Sequence, residues 1–203
     1  TSHEGRIVVV DNNSSDDTAK LAASFGIEVV FEPINQISKA RNRGAHFCPE
    51  EDYLFFVDAD TVLRKEILID ALKLMDEGKV CGGGCLVKLE NNRAPLVTAL
   101  WSIFSRCTNL AAGAFIFCTN EAFKQSGGFS EEIYAAEDVH FSSRLKKWGR
   151  KNGRLKFKIL TQHKIVTSDR KFKWYSSFEL LKVFLIIGIM PWRLKNKETL
   201  GFW

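Results

Sequence analysis

The sequence predicts an α/β fold with a mostly parallel central sheet flanked by helices. Short apolar runs rich in β-branched and aromatic residues alternate with segments of helical periodicity, the mark of repeated strand–helix–strand units. Two of these runs, Arg6 to Val10 and Tyr53 to Val57, lead directly into aspartates, Asp11 and Asp58. Strand ends are where an open α/β sheet places its ligands. At 203 residues the chain is long enough to close one hydrophobic core, so a single domain is the starting count.

Taken in order, the run Arg6 to Val10 stops at Asp11 and a polar stretch, Asn12 to Ser15, which reads as a buried strand entering a turn. Ser14 or Ser15 suits the cap of a helix over residues 16–25. Asp16 and Asp17 favour its positive end, and Gly26 stands where it would stop. A strand over Ile27 to Phe31, a helix over Ile37 to Phe47 and a strand over Tyr53 to Val57 follow. A helix from about Lys65 to Glu77 places Leu68, Ala71, Leu72 and Met75 on one face. Val80 to Leu89 and Ala114 to Thr119 read as strands, Glu137 to Trp148 as a helix, and Leu155 to Leu160 and Lys164 to Thr167 as two further strands. Near Trp174 an amphipathic to apolar helix begins, which divides the chain into a domain over residues 1–172 and a C-terminal extension over 173–203.

Composition excludes several classes. With 45% apolar and 26% charged residues the chain is neither disordered nor fibrous, and a net charge of +5 is too small to announce a nucleic-acid binder. The local cluster Lys146 to Lys158, with Trp148 and Phe157 interleaved, reads as a solvated helix face and a lysine-bearing edge strand. Five cysteines without C-x-x-C spacing predict reduced, mostly buried thiols. No leader pattern opens the chain, so a cytoplasmic address is the default. The longest apolar run, Val183 to Trp192, reaches about half of the ~20 residues a spanning helix needs.

Asp58-Ala59-Asp60 closes a strongly apolar strand. In extended backbone residues two apart face the same way, so both carboxylates can address one ligand. Such paired hard oxygens suit Mg²⁺ or Mn²⁺ shared with a diphosphate; the plain alternative is a solvated turn. Asp11 can accept a hydrogen bond from a ribose hydroxyl or a base N–H, or it can organise a capping turn, and the two are compatible. Gly127-Gly128-Phe129 suits a tight loop against a ligand. Glu137-Asp138 sits at a helix start, where carboxylates are favoured electrostatically and where one of them can also act as general base. His163, a lone histidine, is read as structural and left out of the metal site.

The ordered segments VVVDNNSSDDT, ISKARNRG, FFVDADT, GAFIFCTNEAFKQSGGF and EDVHFSSRLKKWG resemble the inverting family 2 glycosyltransferases, enzymes of the GT-A (nucleotide-diphospho-sugar transferase) fold. The resemblance runs from roughly Arg6 to Arg170. It implies transfer of a sugar, hexosyl by type, from a nucleotide diphosphate-sugar to an acceptor hydroxyl, with Mn²⁺ or Mg²⁺ as cofactor. Asp11 matches the aspartate that contacts the base, Arg41 the arginine near the donor, and Asp58 and Asp60 the D-x-D pair. In that pair the first is often nearer the ribose and the second binds the metal. Asp138 matches the catalytic base, with Glu137 supporting it or contacting the acceptor. The family pattern normally opens with another strand and helix before the strand ending at Asp11, so the chain reads as N-terminally incomplete, with inactivity as one consequence. Asn12 and Asn13 also stand where the family often has Asp and Gly.

Two other functions remain open at this stage. A sugar nucleotidyltransferase of similar fold would carry its glycine-rich signature before Arg6. A non-catalytic module would bind through the patch at 146–158. No G-x-G-x-x-G or P-loop is present, and Gly82-Gly83-Gly84 lacks that spacing. Arg170, in a basic turn, is a candidate for acceptor or phosphate. The segment Trp174 to Trp192, bracketed by aromatic and basic residues, is a candidate for docking on a membrane surface or a second copy of the chain. The acceptors expected are a sugar, a lipid-linked or another hydroxyl compound; nucleic acid is not expected.

Overall fold

The computed structural model describes residues 3–90, 95–111 and 113–168. The chain divides into two compact units, Thr1–Glu51 and Asp52–Trp203. The expected boundary at 172/173, and the helix from Trp174 to Trp192, lie outside the described residues.

The first unit runs β1 (Val8–Asp11), α1 (Thr18–Ser24), β2 (Glu28–Phe31) and α2 (Ile37–Phe47). β1 and β2 pair in parallel, with Asp11 opposite Phe31, as a strand–helix–strand unit requires. α1 starts two residues later than expected, and neither Ser14 nor Ser15 caps it. Its N-cap is Asp17, without a side-chain bond. Asp16 instead accepts the Thr18 backbone N–H at 3.1 Å and the Thr18 hydroxyl, which holds the Asp16 carboxyl below the usual carboxylate range. Gly26, at φ +72°, ends the helix as its position suggested. α2 can lie close on β1 because residue 44 is glycine: a Cβ there would stand 2.9 Å from the Val10 side chain.

The second unit runs β3 (Tyr53–Val57), β4 (Thr61–Val62), α3 (Lys65–Asp76), β5 (Val80–Leu89), α4 (Pro95–Thr108), β6 (Phe115–Thr119), α5 (Asn120–Ser126), α6 (Glu137–Lys151) and β7 (Lys156–Thr167). Its sheet has the order β3-β6-β5-β7-β4. The sheet is mixed rather than mostly parallel: β5 and β7 run parallel, whereas β3–β6, β5–β6 and β4–β7 are antiparallel. Alternating strands and helices fix the α/β class, but a helix between two strands does not by itself set the direction of the second.

The two strands expected at the end of the domain are one. β7 is continuous, and its pairing moves from Cys85↔Leu160 to Leu86↔Lys164, so Thr161, Gln162 and His163 form a bulge where the sequence suggested a break. α3 buries Ile67, Ala71 and Met75, with Leu68 and Leu72 only partly covered, so its inward face is centred one residue earlier than the pattern suggested. β5 lies in the middle of the sheet between β6 and β7, and its three glycines are there for room. A Cβ on Gly82 would stand 2.5 Å from the Phe117 carbonyl oxygen, and one on Gly83 would collide with the Lys158 carbonyl and the Phe117 ring.

One core cluster joins Phe115 and Phe117 of β6 to Ile67, Ala71 and Met75 of α3 and to Ile165 of β7. Burying a large apolar side chain contributes about 1.5–3 kcal/mol, so this layer is a main source of the unit's stability. Cys48, Cys81, Cys85 and Cys118 are buried free thiols and Cys107 is an exposed one. Burial pushes Cys81 up to about 11 and Cys85 up to about 12, which keeps both inert near neutrality. Among the described residues no helix is long and apolar enough to cross a membrane.

Candidate active site

The D-x-D segment is a turn, not a pleat. The Thr61 N–H donates to the Asp58 carbonyl oxygen at 3.0 Å, closing a four-residue turn directly after β3, and the Asp58 N–H reaches the Ala114 carbonyl at 3.4 Å. The extended-backbone reason for pairing the two carboxylates therefore fails. What holds them near one another is the turn and its anchorage. β4 returns immediately to pair with the last residues of β7, Thr61 opposite Thr167. The Thr61 hydroxyl donates to the Thr167 hydroxyl at 3.1 Å, and that hydroxyl donates onward to Asp60 Oδ1 at a long 3.4 Å. The Ser168 N–H binds the Asp60 carbonyl at 3.2 Å. Asp60 is thus tied through backbone and side chain to the end of β7, with Asp60 exposed and Asp58 half-buried.

The donor chemistry fits a divalent cation of the Mg²⁺ or Mn²⁺ kind. Two hard carboxylates share one turn, and the Thr167 hydroxyl orients one of them. No group of three or more His, Cys, Asp or Glu that could hold a metal occurs among the described residues. An ion here would therefore complete its shell with water and phosphate oxygens, a mode that suits Mg²⁺ or Mn²⁺ and not a structural zinc. His163, in the bulge of β7, faces Asp70 of α3 at 4.0 Å.

The second carboxylate pair opens α6. Its N-cap, Ala136, is in the left-handed region at φ +56°, a conformation that costs a residue with a Cβ of order 1 kcal/mol or more. Glu137 is buried, Asp138 is half-buried, and Asp138 Oδ1 accepts the Val139 N–H at 2.7 Å. The approach to this helix is set by Gly127 at φ +80° and Gly128 at φ +61°. Arg144 of α6 donates to the Ser126 carbonyl oxygen and occupies the space a Cβ on Gly127 would need.

An aromatic cluster underlies both pairs. Phe56, two residues before Asp58, packs edge-on against Phe129 at 5.0 Å and Phe141 at 6.3 Å between ring centroids. Phe141, three residues after Asp138, lies 4.0 Å from Phe129 and 5.9 Å from Phe123. The strand that delivers Asp58 and the helix that delivers Glu137 and Asp138 are therefore fixed on the same side chains. The sequence reading missed this cluster and also Thr167, Ala136 and Arg144. Phe56 and Phe141 stand close in sequence to the acidic motifs, whereas nothing local to Thr167 or Ala136 marks them.

In the first unit Asp11 is buried. Its Oδ1 accepts the Ser14 N–H at 3.0 Å, and its carbonyl accepts the Glu32 N–H at 2.9 Å. The Asn12 amide adds a bond to the Glu32 carbonyl at 3.2 Å, and Asn13 takes φ +58°. The turn-forming role of Asp11 is thus met. Arg41 is half-buried on α2. Arg170 lies outside the described residues. In the basic stretch 146–158, Phe157 is buried and the Trp148 indole N–H donates to Gln125 at 3.0 Å, so the two aromatics do not form an open stacking platform.

The glycosyl transferase family 2 profile matches residues 3–126, more than half of the chain. The chain belongs to that family. The match takes in Asp11, Arg41, Asp58 and Asp60 and stops before Glu137 and Asp138. No curated protein matches the chain by sequence. Among solved structures, the mannosyltransferase PcManGT from Pyrobaculum calidifontis, in complex with GDP-Man and Mn²⁺, is similar with a TM-score of 0.69 at 16% identity. The similarity covers 88% of this chain and 50% of that one. Residues 1–349 of S. aureus TarS are similar with a TM-score of 0.60 at 18% identity, over 89% of this chain and 56% of that one. These likenesses give this family 2 chain the GT-A fold, and it spans about half the length of those neighbours.

Proposed function

We propose that this family 2 chain transfers a hexosyl group from a nucleotide diphosphate-sugar to an acceptor hydroxyl, with inversion and with the help of Mn²⁺ or Mg²⁺. The observation that carries the reading is the common aromatic footing of the Asp58–Asp60 turn and the Glu137–Asp138 helix start. It seats a carboxylate pair suited to a metal–diphosphate and a carboxylate suited to proton transfer on one rigid base. The neighbour solved with GDP-Man and Mn²⁺ supports the donor class and the metal. Family membership favours transfer over nucleotidyl exchange.

In this mechanism Asp60, with Asp58, would hold the cation, and Asp58 is assigned to the ribose side on the strength of the family pattern. The bound metal would supply charge neutralisation on the departing diphosphate. Asp138 accepts the proton of the acceptor hydroxyl as that oxygen attacks the anomeric carbon opposite the leaving group, so the configuration inverts without a covalent intermediate. Glu137, buried at the helix start, positions Asp138. Asp11 and Arg41 are assigned to the base and to the donor on the strength of the family pattern. We propose a cytoplasmic address, with residues 174–192 docking on a membrane surface or on a second copy of the chain, alternatives that liposome co-sedimentation and oligomer mass separate.

The deciding experiment is a donor panel assayed for released nucleoside diphosphate with Mn²⁺ and with chelator, and with the product anomer read by NMR. Metal-dependent release with an inverted product is the expected result. Release of pyrophosphate, or a retained anomer, would overturn the reading.

A further inference from the structure

A concave site lies at the end of the sheet away from the Asp60 turn. A cleft of about 920 Å³ opens where β5 and β7 begin, bounded by the last turns of α3 and α6, with Val80, Leu155 and Phe157 in its lining. The Asp60 turn is bonded to Thr167, the last residue of β7, whereas Lys156, its first, lines this cleft. At ~3.3 Å per residue the strand separates the two by roughly 25–35 Å.

The lining is strongly cationic. Lys79, Lys146, Arg150, Arg154, Lys156 and Lys158 contribute six positive charges, against the single carboxylate of Glu77. The chain has 29 Lys and Arg against 24 Asp and Glu; removing these six and that one leaves 23 of each, so the cleft accounts for the whole net charge of +5. The dipole of α6 explains cations in its last turn, but not those on the strands and their approaches, Lys79, Lys156 and Lys158.

The cations are also held at a cost. Lys146 and Arg150 stand four residues apart on α6, where like charges repel. Lys146 is half-buried with its ammonium donating to the Thr108 carbonyl. Its pKa is lowered by burial first and by Arg150 second. Arg154 adopts φ +57°, a strained conformation for a residue with a side chain. Glu77 offsets one charge, 3.6 Å from Lys79.

We propose that this cleft is a binding site for a soluble ligand carrying two or more adjacent phosphate groups, distinct from the carboxylate turn. The arginine forks and lysine ammonium groups match phosphate oxygens, and the volume lies in the range of small-ligand sites, about 300–1,000 Å³. A concave site of this size accommodates a compact polyanion and not a flat bilayer. Stacking of nucleic-acid bases is not served, because Phe157 is buried and Trp148 is tied to Gln125. Residues 169–203 carry seven Lys and Arg against three Asp and Glu, so the chain's own tail has the wrong sign to fill it.

The test is calorimetry with inorganic tripolyphosphate at low salt, in chelator so that metal-dependent diphosphate binding elsewhere is silent. Expected is saturable binding at least tenfold tighter than orthophosphate, weakening as salt rises. Arg150→Gln with Lys156→Gln, both exposed positions, should weaken it tenfold or more, as should Lys79→Gln alone, while Lys20→Gln in the first unit should not change it. Circular dichroism checks that each variant is folded. Absence of saturable binding, or equal binding by the variants, would overturn the proposal. So would binding of phosphatidylglycerol vesicles or duplex DNA through Arg150 and Lys156 that tripolyphosphate does not displace, because the surface would then serve a membrane or a nucleic acid.

Discussion

Asp60 is exposed and its side-chain bond to Thr167 is long, so it holds little of the fold together. Asp60→Ala should therefore leave thermal stability nearly unchanged, within about 0.5 kcal/mol, while abolishing any gain in nucleoside diphosphate affinity on adding Mn²⁺. Calorimetry with metal and with chelator reads both quantities, and identical metal-dependent gains in wild type and variant would refute the assignment. Asp138→Asn keeps the shape of the helix start and removes the basic oxygen. It should preserve donor affinity and lower turnover by about 10²–10⁴, the range of a positioned general base; unchanged turnover would move the base elsewhere. These acids were legible in the sequence because their chemistry fixes the residue type and the strand or helix end fixes the place. Thr167 was not, since its link to Asp60 spans 107 positions and exists only once β4 has folded back onto β7. Ala136 was not, because nothing in its own side chain announces a left-handed backbone.

At the scale of elements, the rhythm of apolar residues placed α2, β3 and β5 at the limits the structure gives. It passed over α4, a fourteen-residue helix whose pattern is amphipathic, and elsewhere the missing information was not periodic. α5 has seven residues, too few for a helical repeat to show, and its marker was the Thr119 hydroxyl that accepts the Ala122 N–H at 3.1 Å. The apparent gap in β7 was three residues bulging out of an unbroken strand. The glycine triplet of β5, set aside as a failed nucleotide motif, is a packing device, and this can be tested. Gly83→Ala would place a methyl against the Lys158 backbone and the Phe117 ring, both in the centre of the sheet. Overpacking of this kind costs about 1–3 kcal/mol or more, to be read as a lowered denaturation midpoint. Phe129→Ala should cost about 3–5 kcal/mol by opening a cavity among Phe56, Phe123 and Phe141. If the cluster seats both carboxylate pairs, Phe129→Leu, which refills most of that volume, should restore stability more fully than turnover. Equal recovery of both would reduce the cluster to ordinary core.

The two units differ in what holds them together, and that difference was not legible in the sequence: no linker, repeat or change of composition separates Phe47 from Tyr53. In the first unit two four-residue strands pair, among the described residues, only with one another, and of their eight residues only Asp11 and Val30 are buried. Its helix α1 buries no residue at all. In the second unit β6 is hydrogen-bonded on both sides, and Phe115, Ile116, Phe117 and Cys118 are wholly excluded from solvent. Two-stranded pairings are marginal alone, whereas amides in a central strand exchange only when the sheet around them opens. Amide hydrogen exchange followed by mass spectrometry should therefore protect residues 115–118 most strongly. Residues 8–11 and 28–31 should exchange orders of magnitude faster, through openings that leave the five-stranded sheet intact. A nucleoside diphosphate whose base is held by Asp11 would slow exchange in 8–11 selectively, because a ligand stabilises the folded form of whatever it binds. If 8–11 are instead as protected as 115–118 in the free protein, something beyond the β1–β2 pairing stabilises the first unit, and its opening would then follow that of the whole chain.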